Sequence, residues 1–318
     1  MGDSGEVNSV GQLLARARRQ LARAGIPSPA DEARLLLTEV LGVSLAWVLA
    51  HPEAVVPADR RLLFQSYLDR RTALEPVAYI VGHKEFYGLD LEVGPAVLIP
   101  RRETELLVEG ALAAAGRLIA AKGRDLLAAD LGTGSGAVAV ALAVHQPKLR
   151  LVAVDSSPDA LALARGNAAL HRVADRIEFR LGNLLLGIDR RFDIVVGNLP
   201  YIPSAQIPHL MPDVSRYEPH DALDGGPDGT TIIRLALEQA STRLEVPASL
   251  LFEIGDGQGA ALAGLARGLY PTADVDVARD YAGLERILSV HLWQEPALQG
   301  LESISNLPSP PQRGRGLG

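Results

Sequence analysis

The 318-residue chain contains no cysteine. Disulfide bonds, thiolate catalysis and zinc sites built on cysteine are therefore excluded, and a chain without cysteine is suited to a reducing compartment such as the cytoplasm. Its seven histidines are scattered and none has the spacing of metal ligands, so we expect no metal site.

Long apolar runs and excess positive charge are also missing. No run approaches the ~20 apolar residues that cross a bilayer, and the opening residues, MGDSGEV, are acidic and polar. We therefore expect neither a membrane span nor a secretory signal. The formal net charge of −7 argues against a broad electrostatic grip on nucleic acid. The length suits one large domain and one small domain, and we expect a monomer.

Residues 1–80 have the apolar spacing of helices and are predicted to form a small N-terminal domain that docks the substrate. One helix is expected to end at Gly25, and the next to begin with Ser28 as N-cap and Pro29 at the first helical position. The two Asp-Arg-Arg repeats at 59–61 and 69–71 are interpreted as solvated helix faces, with contact to a partner protein as the alternative.

Residues 81–102 alternate apolar and polar side chains around Gly88 and predict a β-hairpin that links the two domains. From residue 103 to 295, short apolar strands alternate with helical segments. This pattern predicts an α/β fold with a mostly parallel, doubly wound sheet. Residues 296–318 are rich in proline, glycine and serine, and we expect this tail to be disordered.

The segment DLGTGSG, at 130–136, predicts a strand end, a glycine loop and a helix start. Glycine lets the backbone turn tightly and approach a ligand, and the helix start offers free N–H groups. Asp155 ends the next strand, where a carboxylate can accept both hydroxyls of a ribose.

A dinucleotide is one candidate ligand for this loop. The G-x-G-x-G spacing differs from the dinucleotide motif, and Asp130 would repel a pyrophosphate. The same carboxylate would attract an ammonium group, which favours S-adenosylmethionine. The alternative without a ligand is a strand–helix turn whose glycines serve only close packing.

The segment NLPY, at 198–201, follows the apolar strand FDIVVG. The Asn198 side-chain oxygen and the Leu199 main-chain oxygen can accept the two hydrogens of a planar –NH2 group. Pro200 stiffens the turn, and Tyr201 can lie against a flat amide or base. Two acceptors would direct the nitrogen lone pair at a methyl donor. The alternative is a simple turn in which Asn198 caps its own backbone.

DLGTGSG followed by this turn resembles the class I methyltransferases that act on planar nitrogens. Residues 10–290 resemble, more narrowly, the HemK/PrmC-type release factor glutamine methyltransferases, particularly in IPRRETE (99–105), SRYEPHDALDGGPDG (215–229) and LLFEIGDGQG (250–259). The resemblance implies a Rossmann-like fold, and methyl transfer from S-adenosylmethionine to the side-chain amide nitrogen of the glutamine in a Gly-Gly-Gln loop of peptide-chain release factors.

By this resemblance, one group of residues would hold the cofactor and another the glutamine. The cofactor group comprises Asp130, Gly132, Thr133, Gly134, Ser135, Gly136, Asp155, Asn183, Leu184 and Asn198. The glutamine would be held by Asn198, Leu199, Pro200 and Tyr201, with Asn198, Pro200 and Tyr201 as the catalytic residues.

The chain departs from the usual family pattern at three places. Leu199 replaces a proline, which costs rigidity but keeps the main-chain carbonyl. Asn183 replaces an aspartate and can still accept a hydrogen bond from adenine. Arg102 and Glu103 stand where proline and aspartate are commoner.

Two other functions remain open from the residues alone. An adenine N6-methyltransferase acting on nucleic acid is one, because NLPY with leucine occurs in ribosomal RNA adenine dimethyltransferases. A cofactor-binding module without catalysis is the other.

Overall fold

The computed structural model describes residues 8–293. The N-terminal residues 1–7 and the predicted tail at 296–318 lie outside this range. Within it, no helix combines the length and apolarity that crossing a membrane requires.

Five helices lie within residues 8–82: α1 (Val10–Arg23), α2 (Pro29–Leu41), α3 (Leu45–Ala50), α4 (Ala58–Thr72) and α5 (Val77–Val81). The first begins with a complete capping box between Ser9 and Gln12. Its buried side chains recur every three or four residues, so that one stripe faces a core shared with α2 and α4.

Three details of this region differ from the sequence predictions. Ser28 makes no side-chain capping bond, although Pro29 does occupy the first helical turn. The short helices α3 and α5 were not expected, because five or six residues are too few to show a helical period. Ser44 caps the first of them by accepting a hydrogen bond from the Trp47 amide.

The second Asp-Arg-Arg repeat is not a solvated face. Arg71 is buried, and its Nε donates to Glu32 Oε2 of α2 at 2.6 Å. Arg70 pairs with Glu75. The interpretation was wrong here because Arg71 faces an acidic residue 39 positions earlier in the chain, a neighbour that local sequence cannot reveal.

A two-stranded antiparallel hairpin follows the helices, with β1 (His83–Phe86) paired to β2 (Leu89–Glu92). Tyr87 and Gly88 form its turn, and both have positive φ. Asn167 anchors β2 to the rest of the protein, because its side chain exchanges hydrogen bonds with the backbone N–H and C=O of Glu92.

The remaining strands form one seven-stranded sheet: β3 (Leu126–Leu131), β4 (Leu149–Asp155), β5 (Ile177–Leu181), β6 (Phe192–Gly197), β7 (Leu244–Glu253), β8 (Asp274–Arg279) and β9 (Glu285–Leu292). Their spatial order is β5-β4-β3-β6-β7-β9-β8. The first five are mutually parallel, and β9 runs antiparallel to both of its neighbours. The predicted α/β fold with a mostly parallel sheet is confirmed.

Six helices accompany the sheet: α6 (Glu105–Lys122), α7 (Ala137–His145), α8 (Pro158–Leu170), α9 (Pro212–Tyr217), α10 (Thr231–Ala240) and α11 (Gly259–Leu269). One core packs α6, α7 and α8 on one face, and a second packs α10 and α11 on the other. The strand order reverses between β3 and β6, so a crevice opens at the carboxyl ends of these strands.

Candidate active site

The crevice holds a cavity of roughly 800 Å³. Its walls come from the chain after the hairpin, the glycine loop, the ends of β4 and β5, the turn after β6 and the segment that precedes α10. The cavity therefore brings together residues that are scattered over more than 130 positions of the sequence.

The glycine loop follows β3 and bends through three residues with positive φ, namely Gly132, Gly134 and Gly136. The first two border the cavity together with Thr133 and Ser135. Gly136 instead serves packing: a Cβ added there would lie 3.1 Å from the Ala164 Cβ of α8. Gly132 and Gly134 therefore bend the loop along the cavity, and Gly136 allows α8 to pack closely against the start of α7.

Asp130 is the penultimate residue of β3, and its buried carboxyl group borders the cavity. Its Oδ2 accepts a hydrogen bond from the Thr133 hydroxyl at 2.6 Å. Its Oδ1 is buried and accepts no hydrogen bond from the described residues. Burial raises the pKa of Asp130 to about 7, against the opposing effect of the Thr133 hydroxyl and the neighbouring Ala139 amide. An orphaned carboxylate oxygen in a cavity wall fits an ammonium group.

Asp155 borders the cavity from the end of β4. Its Oδ2 accepts from the Gly134 amide at 2.8 Å, and its Oδ1 accepts from the Ser157 amide at 2.9 Å. Each oxygen retains a second lone pair. The carboxylate therefore braces the glycine loop and still has acceptor capacity for a pair of hydroxyl groups.

Asn183 and Leu184 border the same cavity beyond β5. Leu184 adopts a positive φ of 53° and is nearly buried. Its side chain belongs to the core under β6 and also forms cavity wall, which gives this region an apolar surface that suits a flat ring.

The turn after β6 begins with Asn198, whose side-chain Nδ2 donates to the Thr104 hydroxyl at 3.0 Å. Its Oδ1 has no hydrogen-bond partner among residues 8–293. The amide is thus held by its nitrogen, and Oδ1 is the atom left to accept a hydrogen bond at the cavity.

Leu199 and Pro200 complete this wall of the cavity. The Leu199 side chain is buried against the glycine loop. The approach is close: a Cβ added at Gly132 would lie 3.1 Å from Leu199 Cδ2. The leucine that replaces the usual proline therefore packs the turn against the loop.

Tyr201 is not among the residues that border the cavity. It is mostly buried, and its hydroxyl donates to Glu253 Oε1 at 3.2 Å. Burial and the neighbouring Glu253 carboxylate raise the pKa of Tyr201. In this structure Tyr201 anchors the turn to β7 and does not border the cavity.

Sequence reasoning missed the residues that brace the turn. Gln258 donates from Nε2 to the Tyr201 carbonyl at 2.8 Å, and its Oε1 accepts from the Gly255 amide at 2.8 Å. The chain at 223–225 pairs with Ile202 through two backbone hydrogen bonds. The available signal was the resemblance of 215–229 and 250–259 to family segments, which indicated importance without a role.

A second missed contact joins two segments whose neighbouring residues, Leu98, Pro100 and Pro219, border the cavity. Glu218 is buried; its carboxylate accepts from Arg101 and from the Ile99 amide. Burial raises the pKa of Glu218, and Arg101 opposes that shift. Across the span 8–293, no group of His, Asp and Glu side chains has the arrangement of a metal site.

A mostly parallel sheet, a cavity at its switch point, a glycine loop between two acidic strand ends and an amide-bearing turn together define a class I S-adenosylmethionine-dependent methyltransferase. The hMettl16 catalytic domain, solved in complex with the MAT2A 3′UTR hairpin 6, has a similar fold, with a TM-score of 0.54 over 75% of this chain and 84% of that one. At 12% identity this likeness concerns the fold alone.

Sequence comparison narrows the class to one family. Residues 12–82 match the PrmC N-terminal domain, and residues 109–210 match the methyltransferase small domain. The release factor glutamine methyltransferase of Moorella thermoacetica is 40% identical over 89% of this chain and 99% of its own length. That of Rhodospirillum rubrum is 38% identical over 88% of this chain and 84% of its length. The chain belongs to the release factor glutamine methyltransferase family.

Proposed function

We propose that this protein transfers a methyl group from S-adenosylmethionine to the side-chain amide nitrogen of the glutamine in the Gly-Gly-Gln loop of peptide-chain release factors. The observation that carries the proposal is the Asn198 amide, held through its nitrogen by Thr104 so that Oδ1 is free to accept. Family membership supports the same substrate, since the relatives are named for it. A cytoplasmic, monomeric enzyme is part of the proposal.

The cofactor, when bound, supplies an electrophilic methyl group on a positively charged sulfur. Asp130 Oδ1, which is otherwise orphaned, would hold its ammonium group. Asp155 would accept from its ribose hydroxyls, and Asn183 and Leu184 would lie beside its adenine. The glycine-loop residues would border its methionine and ribose portions.

The turn after β6 would hold the substrate nitrogen. Asn198 Oδ1 and the Leu199 carbonyl accept its two hydrogens, which directs the nitrogen lone pair toward the methyl group. An amide nitrogen is a weak nucleophile, so fixed orientation in a site shielded from water is the main catalytic contribution expected. Pro200 keeps the turn stiff, and Tyr201 with Gln258 supports it from behind.

The adenine N6-methyltransferase alternative is not favoured. The family relatives are named for glutamine, and the net charge of −7 provides no general attraction to a phosphate backbone. The RNA-bound neighbour shares only the fold. The helical region at 12–82, which matches the PrmC N-terminal domain, supports a protein substrate that docks there.

The test is a methyl-transfer assay with a folded release factor beside an adenine-containing RNA. We expect methylation of the Gly-Gly-Gln glutamine. Asn198→Ala should lower the rate about a hundredfold or more, because losing one oriented contact typically costs ~3 kcal/mol of transition-state stabilisation. Asn198→Asp keeps an acceptor and should retain more activity than Asn198→Ala.

Gln146→Ala, which removes a half-buried amide beyond the end of α7 and outside the cavity, is the matched control and should leave the rate unchanged. Cofactor affinity should change little in all three variants. Methylation of the RNA but not of the release factor would contradict the proposal, and so would full activity of Asn198→Ala.

A further inference from the structure

The orientation of the Asn198 amide depends on a hydroxyl group that has its own direction. Thr104 is buried, and its Oγ1 accepts the hydrogen bond from Asn198 Nδ2. A hydroxyl carries one proton, so the Thr104 proton must point to a different acceptor. The group that accepts the Thr104 proton therefore determines whether Thr104 Oγ1 accepts a hydrogen bond from Asn198 or donates one to it.

The Thr104 hydroxyl neighbours the Glu253 carboxyl group and lowers its pKa, so Glu253 is the acceptor assigned here to the Thr104 proton. Its carboxyl group is fully buried at the end of β7, where Oε1 accepts from Tyr201 and Oε2 has no hydrogen bond within the described part of the chain. Burial raises the pKa of Glu253, and the neighbouring Thr104 and Tyr201 hydroxyls lower it again. An ionised carboxylate can only accept hydrogen bonds.

We propose that Glu253, acting through Thr104, is a positioning residue that determines which atom of Asn198 faces the cavity; this inference rests on the proposed function. An ionised Glu253 can accept the Thr104 proton and cannot donate one, so Thr104 meets the Asn198 –NH2 group with a lone pair. Asn198 Oδ1 is then presented to the substrate amide. No direct contact between Glu253 and the substrate is required.

A Thr104 hydroxyl that donates to Asn198, instead of accepting from it, would disable the site. A hydrogen presented by position 253 to Thr104 Oγ1 allows the Thr104 hydroxyl to donate to Asn198 Oδ1. The Asn198 amide then turns over and presents its own –NH2 group, which faces the substrate –NH2 with no acceptor between them. One hydrogen at position 253 thereby changes the group that Asn198 presents to the substrate from an acceptor into a donor.

The charged and titratable groups that face Glu253 are Tyr201, Arg286 and Glu103. Arg286 lowers the pKa of Glu253, and Glu103 raises it. Since burial dominates and raises this pKa, we expect kcat at saturating S-adenosylmethionine to fall at acidic pH as the carboxyl group becomes protonated. Glu253→Gln should lack this acid limb in kcat, whereas the pH dependence of cofactor binding, which belongs to Asp130, should remain.

The experiment uses three substitutions in the wild-type background and one of them, Glu253→Gln, in the Asn198→Asp background. In the wild-type background, Glu253→Gln and Thr104→Val should each lower kcat tenfold or more, while Thr104→Ser, which keeps the hydroxyl, stays within about threefold of wild type. In the Asn198→Asp background both atoms at position 198 are oxygens, so turning the group over changes nothing. Glu253→Gln should then cause less than about a twofold further loss.

Side-chain amide NMR of Asn198, measured without substrate, separates this inference from the proposed function. The Asn198 –NH2 hydrogens should exchange slowly with solvent in the wild type and in Thr104→Ser, and at least tenfold faster in Thr104→Val and Glu253→Gln. Calorimetric binding of S-adenosylmethionine, unchanged within about twofold, shows that the variants fold.

Three outcomes would overturn the inference: wild-type kcat in Glu253→Gln and Thr104→Val, the same losses in the Asn198→Asp background, or unchanged exchange of the Asn198 hydrogens. A wild-type enzyme that leaves the Gly-Gly-Gln glutamine unmethylated would instead contradict the proposed function, while the exchange measurement would still decide the positioning role of Glu253.

Discussion

At the scale of single residues, the site is built from side chains that do two things at once. Asp155 braces the glycine loop through the Gly134 and Ser157 amides and keeps lone pairs for a ligand. Asn198 donates a hydrogen bond from Nδ2 to Thr104 and keeps Oδ1 available to accept one. In both residues, the hydrogen bonds within the protein orient the atoms that remain available to a ligand.

The prediction at this scale concerns Asp155. Asp155→Ala removes the proposed ribose acceptor and the loop brace together, so we expect S-adenosylmethionine binding to weaken by about 2–4 kcal/mol. Isothermal titration calorimetry measures the change. Asp159→Ala is the matched control, because this exposed carboxylate borders the same cavity and makes no comparable loop contact among the described hydrogen bonds. Equal affinities in both variants would remove Asp155 from the cofactor site.

At the scale of elements, one side chain of α8 ties the hairpin to the glycine loop. Asn167 is fully buried, and its Nδ2 donates to the Glu92 carbonyl and to the Ser135 carbonyl, both at 2.9 Å. Its Oδ1 accepts from the Glu92 amide at 2.7 Å. The linker between the two parts of the chain is therefore anchored directly on the loop that borders the cavity.

Asn167→Ala should lower the free energy of unfolding by about 2–4 kcal/mol, because it leaves the backbone groups at Glu92 and Ser135 without their partners. Leu170→Ala removes an exposed side chain from the same helix and should cost less than ~0.5 kcal/mol. Denaturant unfolding gives both values. Hydrogen exchange at the Glu92 amide should accelerate in Asn167→Ala alone, and unchanged protection there would contradict the anchoring role.

At the scale of the whole molecule, the sheet buries an acidic group that is costly without a ligand. The ordinary pKa of an aspartate is 3.8, and burial raises that of Asp130 to about 7. The folded, cofactor-free protein therefore holds this proton more tightly than the unfolded chain. The stabilising contribution is present below about pH 4 and is lost as the pH rises through about 7.

A bound ammonium group would favour the ionised carboxylate and offset this loss. We therefore expect the rise in melting temperature caused by S-adenosylmethionine to grow from pH 5.5 to 7.5, a range below the typical α-amino pKa of ~8. Cofactor binding at pH 6 should release a proton, measurable by calorimetry in buffers of different ionisation enthalpy. A melting-temperature increment independent of pH would contradict the role of Asp130.

Asp130→Asn provides the control for the pH dependence. It keeps the shape of the side chain and cannot ionise, so the cofactor-free variant should lose the part of the stability change between pH 4 and 7 that belongs to this group. This measurement needs no cofactor, and it therefore remains informative if the variant binds S-adenosylmethionine weakly.

The strand and helix pattern of the α/β region, the glycine loop and the amide-bearing turn were predictable from the amino-acid sequence, because each depends on consecutive residues. Hydrophobic period, glycine spacing and the NLPY turn are local signals, and the strands end within a few residues of the predicted positions. The long N-terminal helices were predictable for the same reason.

The contacts between residues that are distant in the chain became visible in the folded protein alone. Thr104 lies 94 positions from Asn198, Asn167 lies 75 from Glu92, and Arg71 lies 39 from Glu32. Nothing in the local pattern distinguishes these partners from solvated polar residues, since a hydrogen bond across the fold leaves no period in the chain. Burial then gives these contacts their strength, because a polar group removed from water depends on the partner that the fold supplies.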